Sequence, residues 1–179
     1  ETLQAFVERR KGGEVGIRSV QLLKNEAVWK AAEQGLWNRD LLTAALARQQ
    51  KPQKKKPEEG TAVLGLVEYR DGFKAATLAL GNVSEYIAAV KPKGAPAQAT
   101  LCYIPIENSN NFSNLVHGIT QMIDTGKPAI DVRRTLLVTG ALARLMESGG
   151  AGGKRLETPE LTVAYKAPLH SWYAKGEGS

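Results

Sequence analysis

Two long stretches in the second half of the chain have the hydrophobic period of α-helices. Apolar residues recur every three or four positions over residues 112–123 and again over 132–146. Gly126 and Pro128 favour a helix end between them, and Asp131 is a typical capping residue for the second helix. The predicted apolar faces comprise Phe112, Leu115, Val116, Ile119, Met122 and Ile123 in the first helix, and Val132, Leu136, Leu142 and Met146 in the second.

The first 48 residues alternate between helical and strand patterns. The predicted elements are a helix over 1–10 with Leu3, Phe6 and Val7 on one face, a strand over 15–23, and helices over 27–34 and 38–48. Asn25 and Asn38 are the predicted caps of the last two helices, and Trp37 should pack across the second cap onto Leu42. No cap or proline precedes the first helix, which is typical of a piece of a longer protein.

The middle of the chain has strand character. Strands are predicted over 61–69, 73–80, 84–90 and 98–104, and a last one over 161–166. Asp71-Gly72 lies between the first two and is a strong hairpin signal, because both residues tolerate positive φ. The four central strands should form an antiparallel meander. Small residues on it would allow close packing of a partner: Ala75, Ala76, Ala79, Ala88, Ala89 and Ala99.

This order of elements predicts an α+β fold with an open, mostly antiparallel sheet and helices packed on one face. The 179 residues fit one domain, 1–179, since domains commonly span ~100–200 residues. Residues 49–60 should form an exposed basic loop, and 167–179 a tail. No apolar run approaches the ~18 residues that span a bilayer, so we expect a soluble, cytoplasmic protein without a membrane partner.

Charge and special residues exclude several functions. The net charge of +6 includes Lys51, Lys54, Lys55 and Lys56, but Glu58 and Glu59 follow directly and no aromatic residue interleaves. A solvated loop is therefore favoured over a nucleic-acid-binding arm. One cysteine excludes an internal disulfide and a multi-cysteine zinc site.

Candidate catalytic groups are few. His117 falls on the polar side of its helix, His170 has no acidic neighbour, and Cys102 is predicted to be a buried, inert thiol. The glycine-rich segment 149–155 has the wrong spacing for a phosphate loop, so a flexible turn is favoured. The residues that could hold a hydroxylated substrate lie on predicted strands, although a solvated strand face explains them equally well. They are Arg18, Gln21, Glu68, Lys74 and Tyr103.

Several stretches resemble the C-terminal domain of the Gfo/Idh/MocA family of NAD(P)-dependent oxidoreductases, which act mostly on sugars and polyols. They are the 8–14 segment Glu-Arg-Arg-Lys-Gly-Gly-Glu leading into a strand, the helix over 112–128 that ends in Gly-Lys-Pro, the helix over 136–146, and Gly-Lys-Arg-Leu-Glu at 153–157. The likeness covers almost the whole chain.

The resemblance implies a dihydrodipicolinate-reductase-like or glyceraldehyde-phosphate-dehydrogenase-like C-terminal domain that closes a substrate pocket beside a Rossmann domain. NAD or NADP would bind to that missing N-terminal domain, and this chain alone would bind neither. The family's catalytic histidine would fall just upstream of Glu1, so no catalytic residue maps onto a numbered position. The expected partners are a small-molecule substrate and further copies of the chain through the sheet face. The alternative is a stand-alone, non-enzymatic binding or assembly module.

Overall fold

The computed structural model describes residues 1–51, 54–102 and 108–167. These ranges form an α+β fold with a four-stranded antiparallel sheet, a separate two-stranded sheet and five α-helices. In chain order the helices and strands are α1 (Thr2–Val7), β1 (Ile17–Lys24), α2 (Glu26–Glu33), α3 (Arg39–Leu46), β2 (Ala62–Tyr69), β3 (Lys74–Leu80), β4 (Ile87–Val90), β5 (Gln98–Leu101), α4 (Asn108–Thr125), α5 (Val132–Gly150) and β6 (Leu156–Glu157).

The main sheet has the order β3-β2-β1-β6 and is antiparallel throughout. The predicted Asp-Gly hairpin between β2 and β3 is confirmed. Gly72 has φ of +82°, and the Asp71 carboxylate accepts a hydrogen bond of 3.1 Å from the Phe73 amide. The first predicted strand, β1, lies in the centre of the sheet rather than at its edge.

Two strand predictions are wrong. β4 and β5 do not extend the meander at the open edge of β3 but pair with each other and lie against α3. The last strand is β6, since residues after it turn into the short 3₁₀ helix Pro159–Leu161. Tyr165 makes only an isolated bridge with Glu14.

Helices cover both faces of the sheet, which corrects the prediction of one covered face. Side chains of β2 alternate between two apolar cores. Val67 packs in the core that includes Leu137 of α5, whereas Leu64 packs in the core that includes Val28 of α2 and Trp37.

The cap predictions have mixed outcomes. The Asn38 side chain accepts hydrogen bonds from the amides of Asp40 and Leu41, and Asp131 accepts one from Arg133, so both caps are confirmed. Asn25 occupies the cap position of α2 but its side chain instead accepts a 3.4 Å bond from the Ala62 amide. The Trp37 indole donates to the Val28 carbonyl at 2.8 Å, which makes Trp37 a structural residue, as predicted.

In α1, α4 and α5, the buried and exposed sides differ from those that the apolar pattern predicts. On α1 the buried residues include Gln4 as well as Val7, while Phe6 is 49% exposed. The apolar faces predicted for α4 and α5 are exposed, and α5 buries the opposite side, which includes Leu137 and Ala141. Periodicity located the apolar faces correctly but did not reveal that they point away from the chain's own core.

Candidate functional site

A β-bulge brings polar side chains together on one face of the main sheet. Ile17 pairs with Tyr69 and Ser19 with Glu68, so Arg18 is an extra residue on β1. The bulge changes which side chains share a face. Ile17 points into the core beneath α5, and Ser19 points to the opposite face with Glu68.

The strand register continues this polar group across three strands. Gln21 lies opposite Leu66 on the neighbouring strand, and Lys74 lies opposite Glu68. Antiparallel partners share a face, so these side chains surround one end of the sheet beyond the region that α2 covers. Gln21, Glu68 and Lys74 line a single shallow depression of about 60 Å³ there.

Cationic groups dominate this depression. Arg155 Nη2 lies 2.9 Å from Glu68 Oε2, and Arg18 Nη1 lies 3.7 Å from Glu68 Oε1. Arg155 Nε also lies 3.5 Å from the Glu157 carboxylate. With Lys74, three cations face two carboxylates, which leaves one formal positive charge beside acceptor and donor groups. Such a set can bind hydroxyl and carboxylate oxygens of a small polar molecule.

Hydrogen bonds between β1 and the turn after α5 hold the residues of the depression in place. Gln21 Nε2 donates a 2.8 Å hydrogen bond to the Gly153 carbonyl, in the turn that follows α5. Ser148 is fully buried, accepts from the Leu22 amide at 2.9 Å and donates to the Lys154 carbonyl at 2.6 Å. The glycine-rich segment is therefore a turn that fixes Arg155 beside β1.

Four of the five predicted substrate-facing residues fall in or beside this site. Gln21, Glu68 and Lys74 line the depression and Arg18 reaches it through Glu68. Tyr103 lies outside the described residues. Sequence reasoning missed Arg155, although Arg155-Leu156-Glu157 alternates polar and apolar positions as a short strand does.

The other candidate groups that the structure describes do not form a second reactive site, and His170 lies outside the described residues. His117 is exposed, and burial raises the pKa of the half-buried Cys102 thiol, which disfavours a nucleophilic thiolate. The described residues contain no cluster of three or more side chains suited to a metal ion. Among them, no helix has the length and apolar character needed to cross a membrane.

The basic loop is exposed at Lys51 and over residues 54–56; residues 52 and 53 lie outside the described part. Its backbone is held by acidic and amide side chains. Glu85 accepts from the amides of Gln50 and Lys51, both at 3.1 Å, and Asn82 donates to the Lys56 carbonyl at 2.6 Å. These contacts agree with a solvated loop that is fastened to the domain.

A buried polar cluster joins α1 to the sheet. We use this name for Gln4, Glu8, Glu14, Tyr69 and Tyr165, all of which are at most 6% exposed. Gln4 Nε2 donates to Glu14 at 2.6 Å and to the Tyr165 hydroxyl at 2.9 Å, while Gln4 Oε1 accepts from Tyr69 at 2.9 Å. Tyr165 donates to Glu8 at 2.8 Å.

Burial in this cluster raises the pKa of the Tyr69 hydroxyl, and the negative charge of Glu14 raises it further. Burial and the hydrogen bond to Glu8 raise the pKa of Tyr165 in the same direction. Both tyrosines therefore remain protonated donors at neutral pH. The cluster is closed to solvent, so its role is structural.

No protein-family model, curated protein or solved structure matches this chain. Functional interpretation of the depression therefore depends on its residues and shape.

Proposed function

We propose that this chain is the substrate-side domain of a Gfo/Idh/MocA-like, nicotinamide-dependent oxidoreductase, and that the polar depression forms one wall of its substrate pocket. The observation that carries the proposal is the convergence of Gln21, Glu68 and Lys74 on one surface. The substrate would be a small hydroxylated molecule of the sugar or polyol type. Its hydroxyl groups would exchange hydrogen bonds with these side chains.

The size of the depression supports a shared pocket. Pockets that enclose small molecules have volumes of about 300–1,000 Å³, whereas this one has about 60 Å³. A sugar placed here would rest on the sheet with most of its surface uncovered. A second domain would have to close over it, and in the proposed enzyme that domain is a Rossmann domain N-terminal to Glu1.

The family resemblance implies how the chemistry would be divided between the two domains. The Rossmann domain would hold NAD or NADP, which accepts or donates the hydride, and a histidine upstream of Glu1 would transfer the hydroxyl proton. Lys74, Arg155 and Glu68 would orient the substrate. The proposed fold type is the C-terminal domain related to dihydrodipicolinate reductase, in which an open antiparallel sheet faces the active site.

The first test is the coding sequence immediately upstream of Glu1. We expect a glycine-rich dinucleotide motif after a strand and, close to Glu1, an Asp-x-x-x-His motif. Absence of both would refute the oxidoreductase proposal. Tight, saturable binding of NADH by the present chain alone would also contradict it, because we assign the cofactor to the other domain.

The second test uses the complete enzyme with its own substrate. Glu68→Gln and Lys74→Met should each raise KM by about tenfold or more, since a hydrogen bond to a charged group contributes about 1.5–3 kcal/mol. Binding of NADH should not change. Glu33→Gln, on the exposed side of α2, is the matched control. An unchanged KM in both site variants would refute the role of this wall.

A further inference from the structure

The two helices α4 and α5 present large apolar side chains to solvent. Phe112, Leu115, Val116, Ile119, Met122 and Ile123 on α4, together with Val132, Leu136, Leu142 and Met146 on α5, are between 43% and 74% exposed. We call these two sets the helical stripes. Single exposed apolar residues are ordinary, but contiguous sets on one helix face mark interaction surfaces.

Both stripes are exposed with respect to the residues that the structure describes. On α4 the half-buried positions include Gln121, which lies on the side of the helix opposite the stripe. On α5 the buried Leu137 and Ala141 face the sheet, and the stripe occupies the opposite side. Any cover for the stripes must therefore come from outside the described residues.

The spacing of the stripes favours helix-to-helix packing. Phe112, Leu115, Ile119 and Met122 follow steps of three, four and three residues, and Val132, Leu136 and Thr139 follow steps of four and three. This is the repeat that packs helices side by side at a small crossing angle. Charge on α4 does not oppose such packing, because its ionisable side chains are limited to His117 and Asp124. The charged residues of α5 are not part of its stripe; they are Arg133, Arg134, Arg144 and Glu147.

We propose that the helical stripes form an interface with a second copy of this chain. A closed two-fold interface places the same two helices of each copy against each other, so that apolar, charge-poor surfaces meet their equivalents. Summed over both helices, ten side chains of this size and exposure present on the order of 800 Å², which is about what each partner contributes to a standard stable interface. The proposal therefore requires both stripes to lie in the interface.

This surface differs from the one that the sequence predicts for self-association. The sequence favours the small-residue face of the strands, and that stays a prediction. In the structure Ala75 and Ala76 already pack partly against the two cores of their own chain. The helical stripes offer larger side chains that are mainly exposed. The proposal also holds independently of any oxidoreductase activity.

Analytical ultracentrifugation of the purified chain tests the proposal across a concentration series. We expect a dimer whose Kd lies in the micromolar range or below. Ile119→Glu and Leu136→Glu each place a charge in a stripe and should weaken dimerisation by at least ~30-fold, the usual effect of a central interface residue. Thr120→Glu adds the same charge to α4 outside the stripe and is the matched control.

Circular dichroism should show that all three variants remain folded, because the changed side chains are exposed in the single chain. A chain that stays monomeric at about 100 μM, a concentration far above the expected Kd, would overturn the proposal. So would a dimer that both stripe variants leave intact, which would place the interface elsewhere, including on the sheet face. A monomer that associates only with a nucleotide-binding domain would identify that domain as the occupant and would equally overturn it.

Discussion

Two regions of this molecule depart from the usual placement of polar and apolar residues, and they do so in opposite ways. The buried polar cluster encloses two carboxylates, Glu8 and Glu14, at 2% exposure each. The helical stripes leave residues such as Ile123 and Val132 more than 70% exposed. One region is polar inside the protein, and the other is apolar outside it.

The two regions differ in where their interaction partners come from. Glu14 is bonded to Gln4 and to the amides of Val15 and Gly16, so the chain itself compensates the desolvation of this carboxylate. Within residues 1–51, 54–102 and 108–167, the stripes have no comparable cover. A buried polar group with complete partners stabilises one chain, whereas an exposed apolar stripe indicates an additional partner.

The largest effect should come from removing an acceptor in the buried polar cluster. Glu14→Ala leaves the backbone amides of Val15 and Gly16 without an acceptor. It also removes one of the acceptors of the Gln4 amide and one of those of the Arg10 guanidinium. We expect the free energy of unfolding to fall by about 3–5 kcal/mol, measured by urea denaturation.

Glu14→Gln is the matched variant, because it keeps one oxygen for the backbone amides but loses the charge that faces Arg10. It should lose clearly less stability than Glu14→Ala. A loss below about 1 kcal/mol in Glu14→Ala would mean that the cluster does not hold α1 to the sheet.

A smaller effect should follow from deleting one hydroxyl group. Tyr165→Phe removes one of the two acceptors of the Gln4 amide group and the hydroxyl donor to the buried Glu8 carboxylate, which also has Arg9 at 3.2 Å. We expect a loss of about 1–2 kcal/mol in the free energy of unfolding. Tyr86→Phe is the control, since Tyr86 is 64% exposed and should change stability by less than about 0.5 kcal/mol. Equal losses in both variants would contradict the interpretation.

Alkaline pH should weaken the same cluster. The pKa of Tyr69 is raised in the folded protein by burial and by Glu14, so the unfolded chain ionises first as pH rises above about 10. Its contribution to stability is fully present below that pH and is lost above it, at up to ~1.4 kcal/mol per pH unit. Tyr69→Phe should flatten the decline between pH 10 and 11 relative to the unmodified chain. If stability declined with pH at the same rate in both proteins, ionisation of Tyr69 would not be the cause of the decline.

The sequence predicted most helices and the central hairpin because their signals are local. Asp71-Gly72 and the Asn38 cap each act within a few residues, and both are confirmed. The predicted strand over 161–166 is wrong because the conformation of this segment depends on a contact with residues distant in sequence. Gly16, at φ of +94°, brings the backbone of residues 161–163 across the start of β1.

The candidate site was predictable in part for the same reason. Strand alternation places Glu68 and Lys74 together once the hairpin is known. The bulge at Arg18, which separates Ile17 from Ser19, has no comparable local signal, and Arg155 reaches Glu68 across 87 positions of sequence. The buried polar cluster was missed because amphipathic analysis assigns buried positions to apolar residues, whereas Gln4 and Glu8 are buried through hydrogen bonds with Tyr165.

The smallest effect on the single chain should come from the helical stripes. Ile119→Glu replaces a side chain that is 44% exposed and that lies outside both apolar cores, so the unfolding free energy of the monomer should change by no more than about 0.5 kcal/mol.

The unmodified chain and Ile119→Glu should differ in stability only when the protein concentration rises. Dimerisation stabilises the folded state by mass action, so the Tm of the unmodified chain should increase with protein concentration while that of Ile119→Glu stays constant. Scanning calorimetry over a 50-fold range of concentration, roughly the range that separates populated dimer from monomer, measures this. A large loss of stability in dilute Ile119→Glu would mean that the stripe is covered by its own chain, and the contrast with the buried polar cluster would disappear.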